Sequence, residues 1–359
     1  MKKFEIILKN LFLKILLLLN SAGRKTPAFS SGKYSKILII RLNRIGDALA
    51  ITPFVKELRN GTGADIHILA DRKNSFAFNN NPYIKEVIVF EKGLKGFFKT
   101  VSLLNNNRYD TVVDLHDDVS TTVSFLMALL NPPRKYGLKK GNENLYTDIV
   151  DRLEPSTHHV IDRSLELLKL FNIKPKQDEI NVVYKPSAGS IKKAEVFLHH
   201  NFKSGKYLFG INISAGSDAR FWGVDRFKKL ISFLEGYDVE IMILSPIRDL
   251  QLAEQIADGR PVFASPDFDE FCAAISKLNF LFTPDTSAVH IASAFNIPVF
   301  GLYVKYNTND MIWSPYKSKF DCIITTEPNL NTVSFEETIA KFKPFFESVL
   351  PYEQRNSIM

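Results

Sequence analysis

Cysteine is scarce in this chain. Its 359 residues hold only Cys272 and Cys322, with no Cys-x-x-Cys, which excludes a disulfide framework and a cysteine-ligated zinc site and fits a reducing compartment. Uninterrupted apolar length is also lacking. The most apolar stretch, residues 4–19, is shorter than the ~20 residues that span a bilayer, and Lys9 and Lys14 break it. No Gly-x-Gly-x-x-Gly, His-Glu-x-x-His, Gly-x-Ser-x-Gly or P-loop signature occurs, so the motif grounds for a dinucleotide, metalloprotease, serine-hydrolase or P-loop protein are missing. Net positive charge is absent from most of the chain as well. Ten of the 46 Lys and Arg, but only one of the 39 acidic residues, fall within the first 45 positions. That segment therefore carries +9 and the remainder −2, and nucleic acid is not an expected partner, because a phosphate-tracking groove needs clustered cations.

What is present describes a globular protein: 45% hydrophobic and 24% charged residues, over a length that suggests two domains of ~150 residues. The expected division is a basic arm and linker over 1–35, a first domain over 36–188 and a second over 189–359. In the arm, Phe4, Ile7, Leu8, Leu11, Ile15, Leu18 and Leu19 share one helical stripe. An amphipathic helix lying on an anionic membrane surface through residues 1–25 is the leading expectation. A signal or signal-anchor and a helix docked on the protein itself stay open beside it.

From Lys36 onward, β-branched runs alternate with helical periods. Strands are expected at Lys36–Leu42, Ile66–Ala70, Val87–Phe90, Thr111–Leu115, Tyr207–Ile213, Glu240–Leu244, Asn279–Phe282 and Val299–Tyr303. Helices are expected at Ala48–Arg59, Phe97–Leu104, Thr121–Leu130, Ile161–Phe171, Val224–Leu234, Leu250–Ala257, Asp269–Leu278 and Ser287–Phe295. This alternation implies an α/β fold of two doubly wound, Rossmann-like parallel sheets, with a hinge at 185–190. Such sheets bind ligands at the carboxyl ends of their strands, and two of them face to face would leave a cleft.

Three loops follow strands and carry chemistry. Arg41-Leu-Asn-Arg-Ile-Gly-Asp47 places Asp47 at a helix start, either as a simple cap or as a general base kept ionised by the helix dipole. In 214–222, small residues let backbone N–H groups approach an anion, and Arg220 offers a guanidinium. Thr283-Pro-Asp-Thr-Ser-Ala-Val-His290 puts Asp285, Thr286 and Ser287 at a second helix start, where a phosphate or sugar hydroxyl would fit. For His290 a packed role is expected over a catalytic one. Asp267 with Asp269, and Asp114 with Asp117 and Asp118, offer carboxylates for Mg²⁺, against the simpler reading of Asp267 as a helix cap. His158-His159 stands at a helix start.

Taken in order, KILIIRLNRIGDALAITPFVKELR, VVDLH with RKYG, HHVIDRSLELLKLF, INISAGSDARFWGVDRFKKLI, FLFTPDTSAVHIASAFNIPVFGLY and WSPY resemble glycosyltransferase family nine, the lipopolysaccharide heptosyltransferases. The likeness spans about residues 36–320. It implies a GT-B fold and an inverting, metal-independent transfer from a nucleotide-sugar, ADP-heptose in the characterised members, to a lipid-linked glycan at the cytoplasmic face of the membrane. Asp47 matches the family's proposed base. Ser214, Gly216, Ser217 and Arg220 match its diphosphate site, while Asp285, Thr286, Ser287 and His290 match its donor loop. Arg44 and His116 fall on the acceptor side. No cofactor is implied. The sequence departs from the family at Ser287, where Gly is common, at Val304–Thr308, and at DLHDDVS. A sugar-nucleotide epimerase of similar architecture, and a non-catalytic glycan- or partner-binding member, remain the alternatives.

Overall fold

The computed structural model describes residues 34–351 and residue 354. The amphipathic helix and membrane contact expected of the arm lie outside the described residues. The chain divides into two compact units between Val183 and Tyr184.

The first unit is built on six parallel strands: β1 (Lys36–Arg41), β2 (Asp65–Ala70), β3 (Glu86–Val89), β4 (Thr111–Asp114), β5 (Arg134–Lys139) and β6 (Asp148–Asp151). Their order across the sheet is β3-β2-β1-β4-β5-β6. β1 is buried at every position after Lys36, as a central strand covered on both faces must be, and that explains its unbroken Ile-Leu-Ile-Ile. The helix expected after β1 is two helices, α1 (Ile45–Ala50) and α2 (Thr52–Thr62). Pro53 has no N–H to donate and so takes a place in the first turn of α2, where none is needed. α3 (Leu94–Asn106), α4 (Thr121–Leu129) and α5 (Val160–Leu165) complete the layers.

The second unit repeats the plan with β7 (Tyr207–Asn212), β8 (Val239–Pro246), β9 (Val262–Ser265), β10 (Phe280–Pro284), β11 (Val299–Val304) and β12 (Phe320–Thr325), ordered β12-β11-β10-β7-β8-β9. Its helices are α6 (Ala188–Asn201), α7 (Val224–Leu234), α8 (Leu250–Ala257), α9 (Phe268–Ile275), α10 (Ser287–Ala294) and α11 (Phe335–Val349). Phe342 of α11 sits among Phe209, Phe280, Phe282 and Phe300 at ring separations of 5.3–5.9 Å. This aromatic core fixes the three central strands whose ends carry the site.

The segment 185–190, expected as a hinge, follows the unit boundary directly and leads into α6, which begins at Ala188. Ser187 caps that helix through Ser190 N–H, its own N–H donates to Asp269, and the Tyr184 hydroxyl donates to the same carboxylate. Satisfied polar contacts of this kind hold the segment to the second unit.

Candidate functional site

In each sheet the strand order reverses beside the first strand of the unit: between β1 and β4, and between β7 and β10. The crevice at such a switch point is where open α/β sheets bind ligands.

At the first switch point, the turn after β1 lets α1 start at Ile45, with Asp47 in its first turn. Asp47 Oδ2 accepts the Arg44 N–H at 3.3 Å, and Oδ1 accepts Arg41 Nη2 at 2.5 Å. Arg41 Nη1 also donates to the Leu115 carbonyl after β4, so one buried guanidinium ties the base candidate to the neighbouring strand end. Arg44 itself is exposed beside Asp47.

His116, expected on the acceptor side, turns inward. It is buried, its Nε2 accepts the Leu42 N–H at 3.1 Å, and its Nδ1 meets Asp114 Oδ1 at 2.8 Å. A backbone donor on Nε2 fixes the neutral tautomer with the proton on Nδ1. Burial is the largest influence on this ring and lowers its pKa; Arg41 and Lys140 add to that, against Asp114. His116 thus pins the start of the loop that leads to Asp47.

Asp114 also accepts Lys140 Nζ at 2.8 Å and the Tyr146 hydroxyl at 2.7 Å. Burial opposes its ionisation most, but the Lys140 ammonium and the His116 ring hold the carboxyl far below the usual range. Asp117 is forked by Arg163, with Nε and Nη2 both at 2.9 Å, and is reached by Arg152 Nη2 at 2.7 Å. Asp114 and Asp117, two of the carboxylates considered for Mg²⁺, are therefore committed to protein cations. Asp267 caps α9 through Asp269 N–H. Among the described residues no group of three or more His, Cys, Asp and Glu is placed to hold a metal.

The second switch point is organised by Asn212, the fully buried last residue of β7. Its Nδ2 donates to Thr283 and Thr286 hydroxyls at 2.8 and 3.2 Å, and its Oδ1 accepts both the N–H and the hydroxyl of Ser214. One side chain thus joins the loop after β7 to the loop after β10. Gly216 and Ser217 project into solvent, and a Cβ at Gly216 would come within 3.8 Å of Arg220 Nη1. Arg220 crosses to the other loop, with Nη1 on the Asp285 carbonyl and Nη2 on its carboxylate, both at 3.3 Å. Thr286 caps α10 through Ala288 N–H. His290 is buried, with its ring against Trp313 at 6.1 Å.

Small residues, a half-exposed guanidinium and a capped helix start thus converge where a switch-point ligand sits. The same architecture is found in known proteins. The family model for glycosyltransferase family 9 (heptosyltransferase) matches residues 97–343. This chain belongs to glycosyltransferase family 9. It is 25% identical over 293 residues to lipopolysaccharide heptosyltransferase 3 of Escherichia coli, covering 76% of this chain and 84% of that protein. Among solved structures, a family 9 glycosyl transferase from Veillonella parvula matches with a TM-score of 0.74 and 20% identity, over 88% of this chain and 98% of that one. The E. coli heptosyltransferase WaaC, solved with ADP, matches with a TM-score of 0.70 and 15% identity, over 88% and 100%. The chain is a glycosyltransferase with the two Rossmann-like units of the GT-B architecture.

Within this family 9 protein, the structure gathers Ser214, Gly216, Arg220, Asp285 and Thr286 at one strand edge, with Ser287 opening the helix behind them. His290 lies deeper, as packing. Sequence reasoning missed Arg41, Asn212 and the Asp114–Lys140 pair. The signal available for each was a polar residue closing an otherwise apolar strand.

Proposed function

We propose that this enzyme moves a heptose from ADP-heptose to a hydroxyl of a lipopolysaccharide core or related lipid-linked glycan, with inversion, at the cytoplasmic face of the membrane. Asp47 takes the proton of the acceptor hydroxyl as its oxygen bonds to the anomeric carbon. The bond from that carbon to the diphosphate oxygen breaks in the same step, and ADP leaves. Arg220 and the N–H groups of 215–217, Thr286 and Ser287 stabilise the charge developing on the diphosphate, so no metal is needed. No helix among the described residues is long and apolar enough to cross a membrane, and the proposed attachment is peripheral.

The observation that carries this reading is the Asn212 strut. It holds two loops with anion-binding chemistry at one switch point and leaves Arg220 only a partly exposed partner, Asp285, to exchange for a diphosphate. The relative solved with ADP supports a nucleoside diphosphate as the ligand class. Titration calorimetry with ADP, GDP, UDP and CMP should show ADP binding most tightly. Incubation with ADP-heptose and a lipid-linked acceptor should give a glycosylated acceptor and ADP. Indifference to ADP, or conversion of the donor to an epimer without acceptor, would overturn the assignment.

A further inference from the structure

Leu94 and Phe98 are the two most exposed large apolar side chains among the described residues, at 82% and 59%. They stand one turn apart on α3 and so share one strip of its surface. The face of α3 that carries Gly96, Thr100 and Leu104 is buried, and Phe97 and Val101, between that face and the exposed pair, pack against the core cluster of Phe90, Leu104 and Tyr109. The Phe98 ring meets Phe97 edge to face at 5.6 Å, yet most of its surface, and nearly all of Leu94, stays in solvent.

Charge surrounds it. Lys95 and Lys99 form a second i, i+4 row beside Leu94 and Phe98, and Lys92 precedes the helix. Lys92 pairs with Asp71 at 2.8 Å, which brings the exposed Arg72 and Lys73 to the same edge. Five cations meet two carboxylates here, and Asp71 and Glu91 are already paired, with Lys92 and Lys99. Two apolar side chains are too few for a stable protein interface. Rimmed by lysines with long apolar stems, they match a surface that is greasy beneath and negative on top.

We propose that the first two turns of α3 dock on an anionic lipid bilayer, with Leu94 and Phe98 entering the acyl boundary and Lys92, Lys95 and Lys99 meeting headgroup phosphates. This surface is formed by residues 71–73 and 91–99 of the first unit. α3 starts just beyond the carboxyl end of β3, the same edge of the same sheet from which Asp47 follows β1. A membrane at that edge would present a lipid-linked hydroxyl on the side that carries the base. The use made of the surface rests on the proposed acceptor; its lipid binding does not.

The test uses the full chain without donor or acceptor, on phosphatidylcholine vesicles with and without phosphatidylglycerol. Both native cysteines are buried, so a polarity-sensitive fluorophore on Leu94→Cys reports that position alone. Its emission should shift to the blue with anionic vesicles. Leu94→Ser/Phe98→Ser should lower partition onto those vesicles about tenfold, and Lys95→Gln/Lys99→Gln about fivefold per charge, with a weaker salt dependence. An unchanged melting temperature and unchanged ADP binding would show that the variants fold. No emission shift, together with wild-type partition in both variants, would overturn the proposal and leave the arm as the membrane contact. A change in self-association without a change in partition would overturn it in favour of a second copy.

Discussion

Arg41 Nη2 lies 2.5 Å from Asp47 Oδ1, and the two side chains retain only 2% and 12% of their accessible surface. The pair joins the last residue of β1 to the first turn of α1. Oδ1 is engaged by the guanidinium at 2.5 Å and Oδ2 only by a 3.3 Å contact with an uncharged N–H, so Oδ2 is the less engaged oxygen and the better placed to take an acceptor proton. Arg41 thus orients the proposed base without occupying it.

Removing Arg41 should cost both stability and rate. Arg41→Ala leaves a nearly buried carboxylate without its partner and frees the Leu115 carbonyl, at a cost of about 3 kcal/mol. Urea unfolding should show a lower midpoint with an unchanged slope, and the turnover number should fall while ADP affinity is kept. Arg41→Lys, which retains the charge but not the fork, should fall between the two.

His116 makes stability depend on pH. Its pKa in the fold lies below the ordinary 6.5, so below that pH the unfolded chain binds a proton that the native ring does not. The stabilisation is complete above 6.5 and falls as pH drops toward the folded value, by up to about 1.4 kcal/mol per pH unit for one proton. Urea midpoints at about pH 7.5 and pH 5.5 should differ less in His116→Gln than in the wild type. His67, whose pKa is also lowered, chiefly by burial, accounts for a residual slope.

Asn212→Ala should weaken nucleotide binding from beneath. It deletes contacts to Thr283, Thr286 and Ser214 in one step, at about 2 kcal/mol of stability. ADP affinity should drop about tenfold as both loops lose their common anchor. Calorimetry on the folded variant, below its melting temperature, reads this directly.

Arg220 is expected to act more on the transition state than on binding, because charge builds on the diphosphate as the glycosidic bond breaks. Arg220→Ala should lower kcat by about a hundredfold and raise the donor KM by a smaller factor. Arg220→Lys should recover part of the rate, since a point charge replaces the fork.

Much of the architecture was legible because parallel strands buried on both faces write themselves as unbroken apolar runs. KILIIR and YLFGIN announced β1 and β7 within a residue of their ends. The edge strands β6 and β12 were not legible, since DIVD and FDCIIT are half-exposed and mix polar with apolar residues. β5 was hidden by its cations: Lys135 is buried and donates to the Met127 carbonyl, a contact that hydropathy does not register. α6 and α11 went unread for a similar reason, their polar faces diluting the pattern.

At the candidate sites, the sequence points to residues at loop tips and passes over those that support them. Asp47, Ser214, Arg220 and Thr286 stand after strands, where chemistry is looked for. Arg41 and Asn212 close strands, and their importance lies in partners 6 and 71–74 residues away. His116 looked like a ligand-facing histidine because sequence does not tell which way a ring turns. The Asp114 and Leu42 contacts turn it inward.

In the proposed reaction the Asp47 carboxylate removes the acceptor proton and takes no part in holding the donor. Asp47→Asn preserves shape and one acceptor oxygen, so it should bind ADP within about twofold of the wild type. Its transfer from ADP-heptose to a lipid-linked acceptor should fall by about a thousandfold. Transfer at the wild-type rate in that variant, with donor binding intact, would contradict the account.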